Sequence, residues 1–267
     1  MPDARFGSMV MEDTGGDGPA LVMIHGLGGT SNTFEPLMPA TAGWRVIRPD
    51  LPGAGRSPLR ADTRGISDLA RAVTNSLQAM DVPRAVIVGH SMGTLLAQNM
   101  AVTAPHRVEG LILFGALTEP PEAARNGLKA RAEEAERNGM TGIADTVATA
   151  SLSERTHSDT PAIRAFVRES LMRQPFAGYA AHCRALAAAK AFDPMQIRCP
   201  VRLITGANDP VAPRAMAEAL NAGLPHSKLD ILPHVGHWAP LEAPADCRRL
   251  LAEALKAMSS HPVTERT

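Results

Sequence analysis

The 267-residue chain is poor in cysteine, in aromatic rings and in net charge. Its three cysteines, Cys183, Cys199 and Cys247, are widely spaced and include no C-x-x-C pair. That excludes a disulfide-stapled small domain and a cysteine–zinc site, and each reads as a small buried apolar residue. Lysine plus arginine and aspartate plus glutamate balance at 27 each, and aromatic residues make up only 3% of the chain. With no surplus of positive charge to neutralise a phosphate backbone and few rings to stack on bases, nucleic acid is not an expected partner. Nowhere do roughly 18 apolar residues run together, so no membrane-spanning helix is expected. Residues 1–18 carry acids and glycines where a secretory leader needs an apolar segment, and the chain reads as soluble and cytoplasmic. What remains, 45% apolar and 20% charged with 22 glycines and 22 prolines, is a globular composition.

Short apolar runs bounded by Gly, Pro or Asp occur at residues 21–24, 45–47, 85–88, 111–114, 201–204 and 229–232. Such runs read as buried parallel strands. Amphipathic stretches at 65–80, 92–103, 213–221 and 243–258 read as helices between them. The alternation predicts an α/β fold with a doubly wound, mostly parallel sheet. One stretch, 118–190, contains no convincing strand and is rich in Ala, Arg and Glu at helical spacing, notably over 122–137 and 162–172. Too long for a loop, it is expected to form an inserted helical cap on a core made of 1–117 and 191–267. The tail after Met258 lacks apolar periodicity and is expected to fray.

The chemistry is concentrated in GHSMG, residues 89–93, where an apolar strand meets a helix. This G-x-S-x-G elbow forces a tight turn that pushes Ser91 above the sheet, and small residues are needed two before and two after it. Met92 would offer a backbone N–H at the helix amino end, where partial positive charge favours a developing oxyanion. A serine hydroxyl needs a base oriented by an acid, and in strand–helix folds of this kind the order along the chain is Ser, acid, His. Asp209, in GANDP, and His237, in GHW, both follow strands at the required edge. Glu119 is the substitute acid, and His234 and His226 compete with His237. The second oxyanion donor is assigned to Leu27 in HGLGG, residues 25–29, whose glycines let the backbone approach a substrate.

HGLGG, DLPGAGRS (50–57), GHSMG, GANDP and GHW occur in the order in which the α/β-hydrolase superfamily presents them, and the sequence resembles that superfamily over nearly its full length. The resemblance implies the α/β-hydrolase fold, Ser91 as nucleophile, Asp209 as acid, His237 as base, and the backbone amides of Leu27 and Met92 as the oxyanion hole. Neither metal nor cofactor is implied, and the expected partner is a small ester or lactone. Residues 178–186, Asp193 and the acid loop 208–213 resemble 3-oxoadipate enol-lactonases, which open a lactone that carries a carboxylate. Those enzymes usually have an Asn-Ser-Leu-Gly type segment where this chain has His25-Gly26-Leu27-Gly28. GHW also recurs among hydrolases of carbon–carbon bonds in ring-cleavage diketones and among epoxide hydrolases, although the latter normally present Asp at the elbow. A ligand sensor on the hydrolase fold is a further alternative.

Blander roles compete for several of these residues. His25 and His90 are expected to bond to loop backbone, and Asp50 with Arg56 to brace a turn. His234-x-x-His237 lies in a loop without a third ligand and is not expected to bind metal. Arg131, Arg168, Arg173 and Arg184 are expected mostly as solvated charges, any one of which could hold a substrate carboxylate. Trp238, Phe166, Met172, Phe176 and Tyr179 are the candidate pocket residues.

Overall fold

The computed structural model describes residues 3–6 and 9–259. Eight strands form one sheet: β1 (Asp3–Phe6), β2 (Met9–Asp13), β3 (Ala20–Ile24), β4 (Arg45–Pro49), β5 (Ala85–His90), β6 (Val108–Phe114), β7 (Val201–Gly206) and β8 (Ser227–Leu232). Their spatial order is β1-β2-β4-β3-β5-β6-β7-β8. The β1–β2 and β2–β4 pairs are antiparallel and all others are parallel, as the doubly wound expectation requires.

Strand periodicity explains how the sheet is covered. Leu21 and Met23 of β3 and Val86 and Val88 of β5 pack on one face. Val22, Ile24 and Ile87 pack on the other. Because both faces are apolar, the strands read as continuous apolar runs rather than alternating ones. The first face is covered by the 3-10 helix Ser31–Ala40 and by α10 (Pro244–Ser259), which supplies Leu250, Leu251 and Leu255. The second is covered by α1 (Ile66–Ala79), α2 (Met92–Thr103) and α8 (Arg214–Gly223). All residues of α2 from Met92 to Ala101 are buried, as expected of a helix with apolar residues on every side.

Between β6 and β7 the chain forms α3 (Glu122–Asn138), α4 (Thr141–Ala150), α5 (Glu154–Asp159), α6 (Pro161–Met172) and α7 (Phe176–Ala187) and no strand. One short helix, α9 (Ala239–Glu242), follows β8. Helix α3 packs along α7, burying Leu128, Ala132 and Ala135. The sequence reading did not include β1 and β2. The frayed tail it expected lies, past Ser259, outside the described residues. Among the described residues no helix is long and apolar enough to cross a membrane. Cys183 and Cys247 are buried and Cys199 half-buried, all as free thiols.

The sheet order sets the position of the site. The chain runs from β3 outward to β4 and then crosses back to β5 on the other side of β3. A crevice opens at the carboxyl ends of the strands at such a reversal. The loops after β3 and β5, which carry Leu27 and Ser91, flank it.

Candidate active site

Ser91 joins β5 to α2 with φ 53° and ψ −120°, a backbone region that residues with a side chain rarely adopt. This single residue turns the chain from strand to helix. Neighbouring backbone passes so close that a Cβ at position 89 would come within 2.6 Å of the Gly93 carbonyl oxygen, and one at position 93 would overlap the Ile24 carbonyl. Both positions therefore require glycine.

The Ser91 Oγ lies 2.8 Å from His237 Nε2. On the other side of the imidazole, Nδ1 lies 2.8 Å and 3.0 Å from the two carboxylate oxygens of Asp209. With Asp209 ionised, Nδ1–H donates to the carboxylate, which leaves Nε2 to accept from the serine hydroxyl. Asp209 Oδ1 also accepts the Val211 and Ala212 backbone N–H groups, each at 2.8 Å. Burial pushes the Asp209 carboxyl up, but the charge and hydrogen bond of His237 and these two N–H groups outweigh it and hold the carboxyl below its ordinary range. A weak alcohol bonded to an imidazole that is itself held by a buried carboxylate is the arrangement that makes serine nucleophilic.

The loop carrying His237 is anchored from three directions. Its backbone N–H donates to the Ser151 carbonyl at 2.9 Å. Its carbonyl accepts His90 Nε2–H at 2.8 Å. The neighbouring Trp238 indole donates to Ser151 Oγ at 2.9 Å. Burial, then the nearby His237, lowers His90 to about 3, so it stands neutral behind the site. Glu242 accepts the N–H groups of Gly236 and Trp238, each at 3.0 Å, and of Ser153 at 2.9 Å, together with the Thr156 hydroxyl at 2.8 Å. One carboxylate thus joins the His237 loop to the helical insertion. Neither Ser151 nor Glu242 is evident from a motif; the one available signal is a glutamate five residues beyond His237.

Of the two positions expected to supply oxyanion donors, Met92 is the first residue of α2, where a helix leaves its backbone N–H groups without intrahelical acceptors. Leu27 lines the cavity above Ser91. His25 pins its loop: Nδ1–H donates to the Gly26 carbonyl at 2.8 Å and Nε2 accepts the Leu51 N–H at 3.0 Å. Asp50 receives Arg56 Nε at 2.7 Å and the Ser31 N–H at 2.9 Å, which braces the adjoining turn.

The cavity encloses about 290 Å³. Its wall is largely apolar, with Leu27, Leu117, Leu128, Val147, Leu186 and Met216 around Ser91 and His237. Of the candidate pocket residues, Tyr179 and Trp238 line it. Phe166, Met172 and Phe176 do not: they are 40%, 36% and 53% exposed. Helix α6 turns Val167 and Leu171 inward, which rotates Phe166 and Met172 toward solvent. Phe176 is the first residue of α7, ahead of the packed turn that starts at Gly178. Phe166 instead borders an open depression beside Arg56 and Arg173.

The rival acid and bases lie elsewhere. Glu119 holds Arg125 at 2.6 Å and Lys190 at 2.8 Å, and His226 and His234 are exposed while His237 is buried. Among the described residues no three His, Cys, Asp or Glu side chains gather into a group that could hold a metal ion.

Comparisons with known proteins identify the fold family. A 3-oxoadipate enol-lactonase from Acinetobacter baylyi is 31% identical over 230 residues, 85% of each chain. A relative from Variovorax paradoxus named as a carbamate hydrolase is 29% identical over 260 residues, 91% of this chain and 94% of its own. Among solved structures, a thermophilic esterase from Thermogutta terrifontis with malate bound superposes with a TM-score of 0.88 at 25% identity, covering 94% of this chain and 93% of that one. The family model for the alpha/beta hydrolase fold matches residues 19–244. The chain belongs to the α/β hydrolase fold family.

Proposed function

We propose that the protein is a serine hydrolase of small carboxylic esters or lactones. The hydrogen-bonded chain from Ser91 through His237 to Asp209, at the base of an apolar cavity, carries the reading. Ser91 Oγ attacks the carbonyl carbon as His237 Nε2 takes its proton, and Asp209 stabilises the imidazolium that results. The carbonyl oxygen gains the negative charge facing the Met92 and Leu27 N–H groups. His237 then protonates the leaving oxygen, an acyl-enzyme forms, and water attacks it with His237 again as base. For a lactone, leaving group and acyl group belong to one molecule. None of these steps calls for a cofactor.

Residues 118–190 act as a cap over the strand edge, with Tyr179, Leu128 and Leu186 supplying part of the cavity wall. A cavity of about 290 Å³ suits short acyl groups better than long lipid chains. The relatives named for a lactone and a carbamate, and the structural neighbour named as an esterase, support attack on a carbonyl bound to a heteroatom. They favour this reading over carbon–carbon bond hydrolysis.

The test is turnover of p-nitrophenyl esters of increasing chain length and of enol-lactones, with a fluorophosphonate probe read by mass spectrometry. Short esters are expected to be cleaved fastest, Ser91 to carry the adduct, and Ser91→Ala to abolish turnover while remaining folded. Asp209→Asn is expected to lower kcat by roughly 10³–10⁴ with little change in KM. An adduct elsewhere, or Glu119→Gln as the more damaging change, would overturn the assignment.

A further inference from the structure

The charges around the Ser91 cavity are one-sided. None of its lining residues is acidic, and apart from the two histidines Arg131 is the sole ionisable cation in the wall. Arg131 reaches the cavity because of helical phase: Ala124, Gly127, Leu128 and Arg131 all line it, spaced along one stripe of α3.

The other arginines of the insertion are mostly occupied. Arg125, Arg137, Arg155, Arg168, Arg173 and Arg184 each hold a carboxylate. Among the described residues only Arg131 and Arg164 of this segment have no carboxylate partner, and Arg164 is exposed whereas Arg131 is half-buried. A second orphan sits beside it. Tyr179 is 2% exposed and lines the same cavity, yet its buried hydroxyl has no hydrogen-bond partner among the described residues. The Arg131 guanidinium and the Cys183 thiol stand next to that hydroxyl. Burial raises the Tyr179 phenol well above its ordinary range, so it remains an O–H donor at neutral pH. A buried donor without an acceptor is costly, and the guanidinium beside it has no carboxylate partner among the described residues.

We infer that Arg131 and Tyr179 form an anion subsite in the Ser91 cavity, so that the substrate carries a carboxylate at the end remote from its reacting carbonyl. The planar guanidinium matches a carboxylate through two parallel N–H donors, and the phenol adds a third. Both residues lie on the helical insertion while Ser91 lies on the sheet edge. A bound acid ester would therefore span the two, and the energy of the ionic contact would position the carbonyl over the serine. This inference rests on the hydrolase reading for the identity of the reacting end, though not for the existence of the anion site.

The test compares the p-nitrophenyl monoester of glutarate with p-nitrophenyl valerate. The wild type is expected to favour the charged ester in kcat/KM by about tenfold or more. Arg131→Gln is expected to bring that ratio near unity, Arg131→Lys to restore part of it, Tyr179→Phe to lower it less, and Arg164→Gln to leave it unchanged. An unchanged ratio in Arg131→Gln, or an equal loss on both esters, would overturn the subsite. Independently, glutarate is titrated by calorimetry into Ser91→Ala and into Ser91→Ala/Arg131→Gln, with binding expected to weaken about tenfold or more in the second. If the wild type cleaves neither ester, the hydrolase reading fails while this titration still decides the subsite: loss of binding with Arg131 upholds it, and equal binding refutes it.

Discussion

At the scale of single residues, the conformation of Ser91 makes a prediction separate from chemistry. A φ of 53° with ψ −120° in a residue with a Cβ stores roughly 1–3 kcal/mol of strain. Ser91→Gly should release much of it and raise the unfolding free energy by about 1–2 kcal/mol, while Ser91→Ala keeps the Cβ and the strain. Urea unfolding of both variants checks this, and a glycine variant less stable than the alanine one would contradict it. The elbow was legible in the sequence for the same reason that it is strained: a turn this tight leaves no room for a Cβ at 89 or 93, so its glycines are visible as letters. Asp209 and His237 were legible through their place after strands. Phe166, Met172 and Phe176 were misread because composition marks them as apolar without giving the phase of α6 and α7 against the sheet. Arg131 stood among four candidate arginines, and its place in the cavity wall, with the acids paired to Arg168, Arg173 and Arg184, separates it from them.

At the scale of elements, the core strands and helices followed from apolar runs because both sheet faces are covered. Strands β1 and β2 were missed because they form an antiparallel extension at the sheet margin. β2 carries only a three-residue apolar run, Met9 to Met11, cut off at once by two acids: Glu12 bonds Arg48 at 2.6 Å, and Asp13 bonds Arg45 at 2.7 Å. The short helix α9 was equally invisible, yet it ends in Glu242, which ties the His237 loop to the start of α5. Glu242→Ala would leave three backbone N–H groups and one hydroxyl without their acceptor. A loss of roughly 2–4 kcal/mol in stability is expected. The chemical consequence should be larger in kcat than in KM, because the displaced group is the imidazole and not the cavity wall. Glu242→Gln, which keeps an acceptor oxygen, should recover part of both. Equal kinetics in wild type and Glu242→Ala would show that the loop holds its geometry without the carboxylate.

At the scale of the whole molecule, three fully buried histidines link folding to pH. His90 and His182 each bond a backbone carbonyl of a distant segment, and His25 bonds that of the adjacent Gly26. Burial lowers all three from 6.5, His90 to about 3 and His182 to about 4. The unfolded chain takes up these protons first, so the stability they contribute is complete above about pH 6.5 and is lost as the pH falls toward about 4 and 3. At about 1.4 kcal/mol per pH unit for each withheld proton, His90 and His182 together should cost roughly 4 kcal/mol between pH 6.5 and 5. Urea midpoints at pH 7.5 and 5 check the size, and His182→Asn should flatten the dependence; an equally steep curve in that variant would remove His182 from the account. The distance along the chain between hydrogen-bonded partners has a consequence for synthesis. Ser91 and His237 are 146 residues apart, and at about 5–20 residues per second a ribosome takes roughly 7–30 s to pass from one to the other. Throughout that interval the elbow can already exist while its hydroxyl remains an ordinary alcohol. On the proposed reading, the serine is thus withheld from the esters around the nascent chain until β8 and the loop behind it have arrived.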